Sequence, residues 1–179
     1  MTPPPEFSTP RLRLRPLEER DTQLLYDSVT SDPLTMRYLP WALHASLENT
    51  RSLVALYLSS RQAGEKFFYI AETRDAEPVG LLTLYPSPSK LTLGLIVIAR
   101  HRRSGYGREM IRSVLDWASR EPGEPRVVAD CDVENLASAA ALRSAGFACT
   151  GVLPAAGRSP NAGPGKRDLL GFAWSRPAT

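Results

Sequence analysis

Apolar and charged residues alternate over Leu12-Arg13-Leu14-Arg15, the two-residue period of a strand with one buried face. The period then lengthens. Asp21 stands where it would cap a helix that carries Leu24, Leu25 and Val29 on one face. Ser31 to Ala45, with two prolines, Tyr38 and Trp41, reads as an ordered loop. Ser46 is placed to cap a second helix, with Thr50, Leu53, Val54, Tyr57 and Leu58 at helical spacing and Gly64 near its end. Three strand-like runs follow: Phe67 to Thr73, Pro78 to Tyr85 and Lys90 to Ile98. Their links, Arg74 to Glu77 and Pro86 to Ser89, are short and turn-rich, which predicts antiparallel neighbours.

After Gly107 the helical period is clearest, with Met110, Ile111, Val114, Leu115 and Ala118 forming an apolar stripe that Pro122-Gly123-Glu124-Pro125 ends. Arg126 to Asp132 reads as a strand, Leu136 to Ala145 as a helix, and Gly146 as its stop. Phe147 to Leu153 and Asp168 to Trp174 complete the strands, with a long Gly/Pro-rich loop between them. The order β-α-α-β-β-β-α-β-α-β-β predicts an α/β chain in which a meander feeds a β-α-β crossover, hence a mixed sheet with helices on its faces.

Composition narrows the classes. A length of 179 residues suits one domain, 1–179, with a proline-rich start (1–8) expected to fray. The two cysteines, Cys131 and Cys149, and two histidines, His44 and His101, lack the paired close spacing of a zinc site, so no metal is expected. No apolar stretch approaches the roughly 18 residues that span a bilayer, and MTPPPEFSTP has no signal-peptide pattern. These features predict a soluble, cytoplasmic chain without a membrane partner. The net charge of +3, spread along the chain, suits an anionic ligand better than a nucleic-acid surface.

One segment carries candidate chemistry. The apolar run ending Ile96-Val97-Ile98 enters a turn with two glycines, Arg102-Arg103-Ser104-Gly105-Tyr106-Gly107-Arg108, and a helix leaves it. Glycine lets backbone approach a ligand, and the first amides of a helix have no internal acceptor. With the positive end of the helix dipole and Arg102, Arg103 and Arg108, they make a cradle for phosphate or pyrophosphate. A tight strand-to-helix turn alone would also use Gly105 and Gly107. A dinucleotide fingerprint is excluded because Met110 stands where its third glycine would be, and a Walker loop because Gly165-Lys166 continues with Arg167.

The run Arg102-Arg103-Ser104-Gly105-Tyr106-Gly107 resembles the R/Q-x-x-G-x-G/A signature of the GNAT superfamily of N-acetyltransferases. Asn135-Leu136-Ala137-Ser138 and Gly146-Phe147 resemble its N-x-x-S…G-F segment. Thr9-Pro10-Arg11-Leu12-Arg13-Leu14-Arg15, Ser159-Pro160-Asn161 and Arg167-Asp168 resemble the branch that acetylates the N-terminal alanine or serine of ribosomal proteins. The resemblance implies a mostly antiparallel sheet of about seven strands with a splayed parallel pair. Acetyl-CoA would lie where Lys90–Ile98 and Arg126–Asp132 part, with the backbone of Ile96, Val97 and Ile98 on the pantetheine arm. Amides of Arg103, Ser104, Gly105, Tyr106, Gly107 and Arg108 would hold the pyrophosphate. A backbone N–H of the splayed strand would polarise the thioester carbonyl, and an amine would attack directly, without a covalent enzyme intermediate.

Asn135 is the implied side-chain contact to the cofactor, and a helix cap is its other reading. Ser138 is the candidate donor to the departing CoA sulfur, since Leu142 stands where relatives often have a tyrosine. Many relatives carry an acidic base near Leu91-Thr92-Leu93-Gly94, and this chain has none. Asp130, Asp132, Glu134 and His101 remain as alternatives, as does an ordered water, because an α-amine with a reference pKa of about 7.7–8.0 is partly neutral at pH 7. Tyr38, Trp41 and His44 would line the acceptor pocket, with core packing as the other fate of the aromatic pair. The implied acceptor is a protein N-terminus, such as that of a ribosomal protein. The alternatives are a small amine such as an amino acid or aminoglycoside, and a non-catalytic acetyl-CoA sensor. Exposed sheet edges leave room for a homodimer.

Overall fold

A computed structural model describes residues 2–123 and 126–176, so Glu124 and Pro125 of the expected helix stop lie outside the described residues. The strands are β1 (Phe7–Ser8), β2 (Leu12–Pro16), β3 (Phe67–Thr73), β4 (Pro78–Pro86), β5 (Leu91–Val97), β6 (Val127–Asp132), β7 (Ala148–Arg158) and β8 (Lys166–Trp174). The helices are α1 (Thr22–Leu25), α2 (Pro33–Met36), α3 (Leu47–Gln62), α4 (Tyr106–Ala118) and α5 (Leu136–Ala145). The strands form one sheet of eight in the order β1-β2-β3-β4-β5-β6-β8-β7. Among the described residues, only β5 and β6 run parallel.

The sheet is covered on both faces, which explains why β3 reads as an unbroken apolar run. Tyr69 and Ala71 face a core built with α4 and α5, whereas Phe68 and Ile70 face Leu25, Val29, Val54 and Tyr57 from the opposite layer. Met110, Ile111, Val114 and Leu115 of α4 are all buried. At about 1.5–3 kcal/mol per large buried side chain, this stripe outweighs the roughly 1–2 kcal/mol of a residue held in left-handed backbone. The sheet can therefore hold the turn before α4 in a strained shape, with Arg103 at φ 64°.

Several expectations need correction. Asp21 is not a helix cap: its carboxylate accepts from Arg15 at 2.8 Å twice and from the Glu18 N–H at 2.8 Å. The helix expected to reach Val29 instead passes after α1 into a wide π turn over Tyr26–Thr30, closed where the Ser31 N–H meets the Tyr26 carbonyl at 3.0 Å. The start expected to fray is paired at Phe7 and Ser8, with the Phe7 ring edge-on to Tyr69 and Trp117. The last hairpin is also longer than expected, because β7 runs to Arg158 and β8 begins at Lys166. The expected seven strands become eight through β1.

Candidate functional site

The parallel pairing between β5 and β6 is brief. Leu91 faces Val127 and Thr92 faces Val128, and beyond them the strands part. Opposite residues in the antiparallel β4–β5 ladder alternate in bonding direction. The Ile98 N–H donates to Val79 on the β4 side, while the Leu91 N–H donates to Arg126 on the β6 side. By that alternation Ile96 and Ile98 spend their backbone groups on β4, whereas Leu93, Leu95 and Val97 turn theirs towards the opening. The side chains of Ile96 and Ile98 are buried under α1 and α3.

At the end of the opening lies the two-glycine turn. Gly105, at φ 80°, is the N-cap of α4, and its carbonyl accepts from the Glu109 N–H at 3.1 Å, the first bond of the helix. The amides from Arg103 to Arg108 meet no protein acceptor among the described residues. Only glycine reaches the Gly105 conformation without strain. Gly107 has a different reason: a Cβ there would stand 3.3 Å from Val97 and 3.4 Å from Leu95, so α4 starts in close contact with β5. Six such amides at the positive end of a helix of this length have the arrangement that a cradle for an anion requires.

Arginines divide their tasks around it. Arg103 and Arg108 are exposed beside the cradle. Arg102 turns away, donating to the Val97 and Leu34 carbonyls at 3.3 and 3.2 Å, and so ties the turn to α2. Arg11 was legible only as part of a terminal motif, yet it braces the cradle. It donates to Glu109 at 2.6 Å and to the Ser104 carbonyl at 3.1 Å, and its guanidinium lies 4.7 Å from the centre of the Tyr106 ring. Burial pushes the Glu109 carboxyl up, but hydrogen bonds from Thr9 and Arg11 and the Arg11 charge outweigh it and leave it lowered. A carboxylate in the first helical turn is thereby kept ionised and neutralised.

Across the opening, Asn135 is the N-cap of α5 and accepts from the Ser138 N–H at 3.2 Å. The capping role is thus realised, and the amide nitrogen of Asn135 remains available. Ser138 is half-buried near the Cys131 thiol; burial of that thiol is the larger influence and pushes its pKa up, with Ser138 pulling the other way. Tyr38 reaches the same place, since its hydroxyl donates to the Glu134 carbonyl at 3.4 Å.

The carboxylates of β6 separate clearly. Asp132 is buried and accepts from Arg167 at 2.8 and 3.0 Å; that pairing, more than any other influence, holds its carboxyl below the usual range. Glu134 meets the same guanidinium at 2.8 Å. Asp130 has no ion pair among the described residues. Its surroundings desolvate the carboxyl and raise its pKa, with the Lys90 ammonium pulling the other way, although the residue stays open to solvent. Since Ala129 and Cys131 face the α4–α5 core, Asp130 and Asp132 project from the opposite face of β6.

The third wall is the segment from α2 to α3. Asn161 donates to the Met36 and Trp41 carbonyls at 2.9 Å each and accepts from the Leu43 N–H at 3.0 Å. Ser159 is buried and bridges to the Tyr38 carbonyl and to Asp132 at 3.4 Å each. Asn161 was legible only as part of the Ser159-Pro160-Asn161 motif, because the partners that define its role lie 118 to 125 positions away. Trp41 is half-buried, and its indole N–H is enclosed without an acceptor among the described residues. His44 bonds to Thr50 at 2.9 Å, and burial lowers its pKa, which keeps the ring neutral at pH 7. His101 is placed elsewhere, edge-on to Tyr106 and 3.2 Å from Glu77. Among the described residues no cluster of His, Cys, Asp or Glu could hold a metal ion, and no helix is long and apolar enough to cross a membrane.

Comparison with known proteins supplies a family for this geometry. The model of the acetyltransferase (GNAT) domain matches residues 11–148. The chain is 26% identical over 143 residues to the uncharacterized N-acetyltransferase YnaD of Bacillus subtilis, covering 79% of this chain and 81% of that one. Its fold is similar to RimL, a ribosomal L7/L12 α-N-protein acetyltransferase solved with coenzyme A, at a TM-score of 0.83 and 21% identity over 96% and 98% of the two chains. It is also similar to the spermidine N-acetyltransferase of Vibrio cholerae solved with CoA and spermine, at a TM-score of 0.78 and 18% identity over 94% and 97%.

Proposed function

The chain belongs to the acetyltransferase (GNAT) family, and on that premise we propose that it transfers the acetyl group of acetyl-CoA to the α-amine of a protein or peptide. The observation that carries this reading is the alignment of two features. The unpaired stretch of β5 beyond Thr92 leads directly to the amide cradle of Arg103–Arg108. The pantetheine arm would add to β5 through Leu95 and Val97, and the pyrophosphate would take the amides at the start of α4. The Asn135 side-chain amide would contact the cofactor from the other wall.

The amine attacks the thioester carbonyl, and an N–H of the opened strand holds the developing oxyanion. Collapse of the tetrahedral intermediate breaks the C–S bond, and the Ser138 hydroxyl gives its proton to the departing sulfur while taking one from solvent, which later receives the proton held by Asp130. Asp130 takes the proton released from nitrogen. Its raised pKa makes it a better acceptor than Asp132 or Glu134, both already paired with Arg167. Tyr38, Trp41 and His44 form the acceptor wall. RimL acts on a protein α-amine and the Vibrio cholerae relative on spermidine; what favours the α-amine is the weak base, which suits an amine that is partly neutral at pH 7.

The test is thiol release from acetyl-CoA over a panel of Ala- and Ser-starting peptides, free amino acids, polyamines and aminoglycosides. Release with peptides above all is expected. Release with small amines alone would reassign the acceptor, and tight acetyl-CoA binding without release on any amine would leave a sensor.

A further inference from the structure

A cleft of about 740 Å³ opens between Pro40-Trp41-Ala42 and the end of the last hairpin, where Arg158, Pro160 and Gly163–Lys166 complete its wall. Arg158 and Lys166 are direct cross-strand partners in the β7–β8 ladder, so their side chains share one face. Like charges in that position repel. No carboxylate pairs with either among the described residues, and none lines the cleft. The salt bridges of this region go to Arg167, one position away and on the opposite face of β8. Two unneutralised cations beside a tryptophan in a cleft of ligand size favour a negatively charged occupant.

The cleft is set back from the proposed reaction centre. Asp130 is in register with Gly171 of β8, and Lys166 lies five positions further along that strand, on the face opposite the one that Asp130 shares with Arg167. At about 3.3 Å per residue the separation is roughly 17 Å. Ser159 and Asn161 point inwards to Asp132, Met36 and Trp41, while Arg158 and Pro160 line the outer cleft. A small amine cannot bridge that span, whereas an extended peptide that passes the end of β6 at Asp132, where its pairing with β8 stops at Leu169, covers the distance along the strand in about five residues.

We propose that the Trp41–Arg158–Lys166 cleft is an anionic subsite that selects peptide acceptors carrying acidic side chains about five positions after the amine-bearing residue. This rests on the peptide-acceptor reading above. It gives the acceptor a charge preference that the reaction centre itself does not supply.

The test uses Ser-starting octapeptides identical except at positions five and six, which are Glu-Glu, Gln-Gln or Lys-Lys. The wild-type chain should favour Glu-Glu over Gln-Gln by about five- to tenfold in kcat/KM, the amount that two partly exposed ion pairs supply, with the gain in KM. Arg158→Gln with Lys166→Gln should bring the ratio to about one, and Arg158→Lys should retain it. Equal use of the three peptides by wild type, or a preference that survives the double substitution, would overturn the subsite. If no peptide is acetylated, the acceptor reading fails separately. Calorimetric binding of the Glu-Glu and Gln-Gln peptides in the presence of CoA then decides the subsite: tighter Glu-Glu binding abolished by the double substitution upholds it, and equal affinities overturn it.

Discussion

Replacing Gly105 with alanine separates the two tasks of the turn before α4. The new Cβ would meet only an Arg11 guanidinium nitrogen at 3.4 Å, so no protein clash is created. The stability cost is that of left-handed backbone at φ 80°, about 1–2 kcal/mol. For a chain of this size each kcal/mol lowers Tm by roughly 2–4 °C, giving an expected fall of about 2–8 °C. The ligand cost is different in origin. The methyl group occupies the space from which a phosphate oxygen would approach the amides of Gly105 to Gly107. Loss of one hydrogen bond to a charged group removes about 1.5–3 kcal/mol, which raises Kd for acetyl-CoA by roughly 10- to 100-fold. Gly64→Ala is the matched control, because Gly64 is also left-handed (φ 72°) with no neighbour within 4 Å of a Cβ. Isothermal titration with acetyl-CoA should show weakened binding for Gly105→Ala and wild-type binding for Gly64→Ala, with similar losses of Tm. An unchanged Kd in Gly105→Ala would place the pyrophosphate elsewhere.

Other consequences are checked more briefly. Ser138→Ala should lower kcat by ten- to a hundredfold with little change in the Kd of acetyl-CoA, and an unchanged kcat would remove Ser138 from proton transfer. Asp130→Asn should lower kcat/KM and remove the acidic limb of its pH profile, whereas a limb that survives belongs to another group. Asp132 has a depressed pKa in the fold, owed first to Arg167. Its stabilising share is therefore present above its unfolded value near 4 and is lost as pH falls through the folded value. Asp132→Asn should lower Tm at pH 7 by roughly 5 °C, and the gap to wild type should narrow in melts taken down to pH 3. A gap independent of pH would show that the loss is one of packing.

How much the sequence disclosed depended on the range of the interactions. Helix α4, strand β3 and helix α5 were legible because their periods and stop signals are local, and so was the two-glycine turn. The fate of Asp21 was not, since Arg15 and Glu18 compete for the carboxylate that seemed free to cap. Arg11 was hidden by the 98 positions that separate it from Glu109. Likewise, no residue type within the stretch 127–134 marks Asp130 apart from Asp132; the distant Arg167 and Ser159, which both bond to Asp132, do so. The bonding direction along β5, which favours Val97 over Ile96 and Ile98 at the opening, required the register with β4.

The most direct measurement is tandem mass spectrometry of a Ser-starting peptide that also carries an internal lysine, incubated with the chain and acetyl-CoA. The geometry predicts one acetyl group, on the α-amine. Acetylation of the lysine alone, or no acetylation while acetyl-CoA stays bound, would contradict transfer to an N-terminal amine.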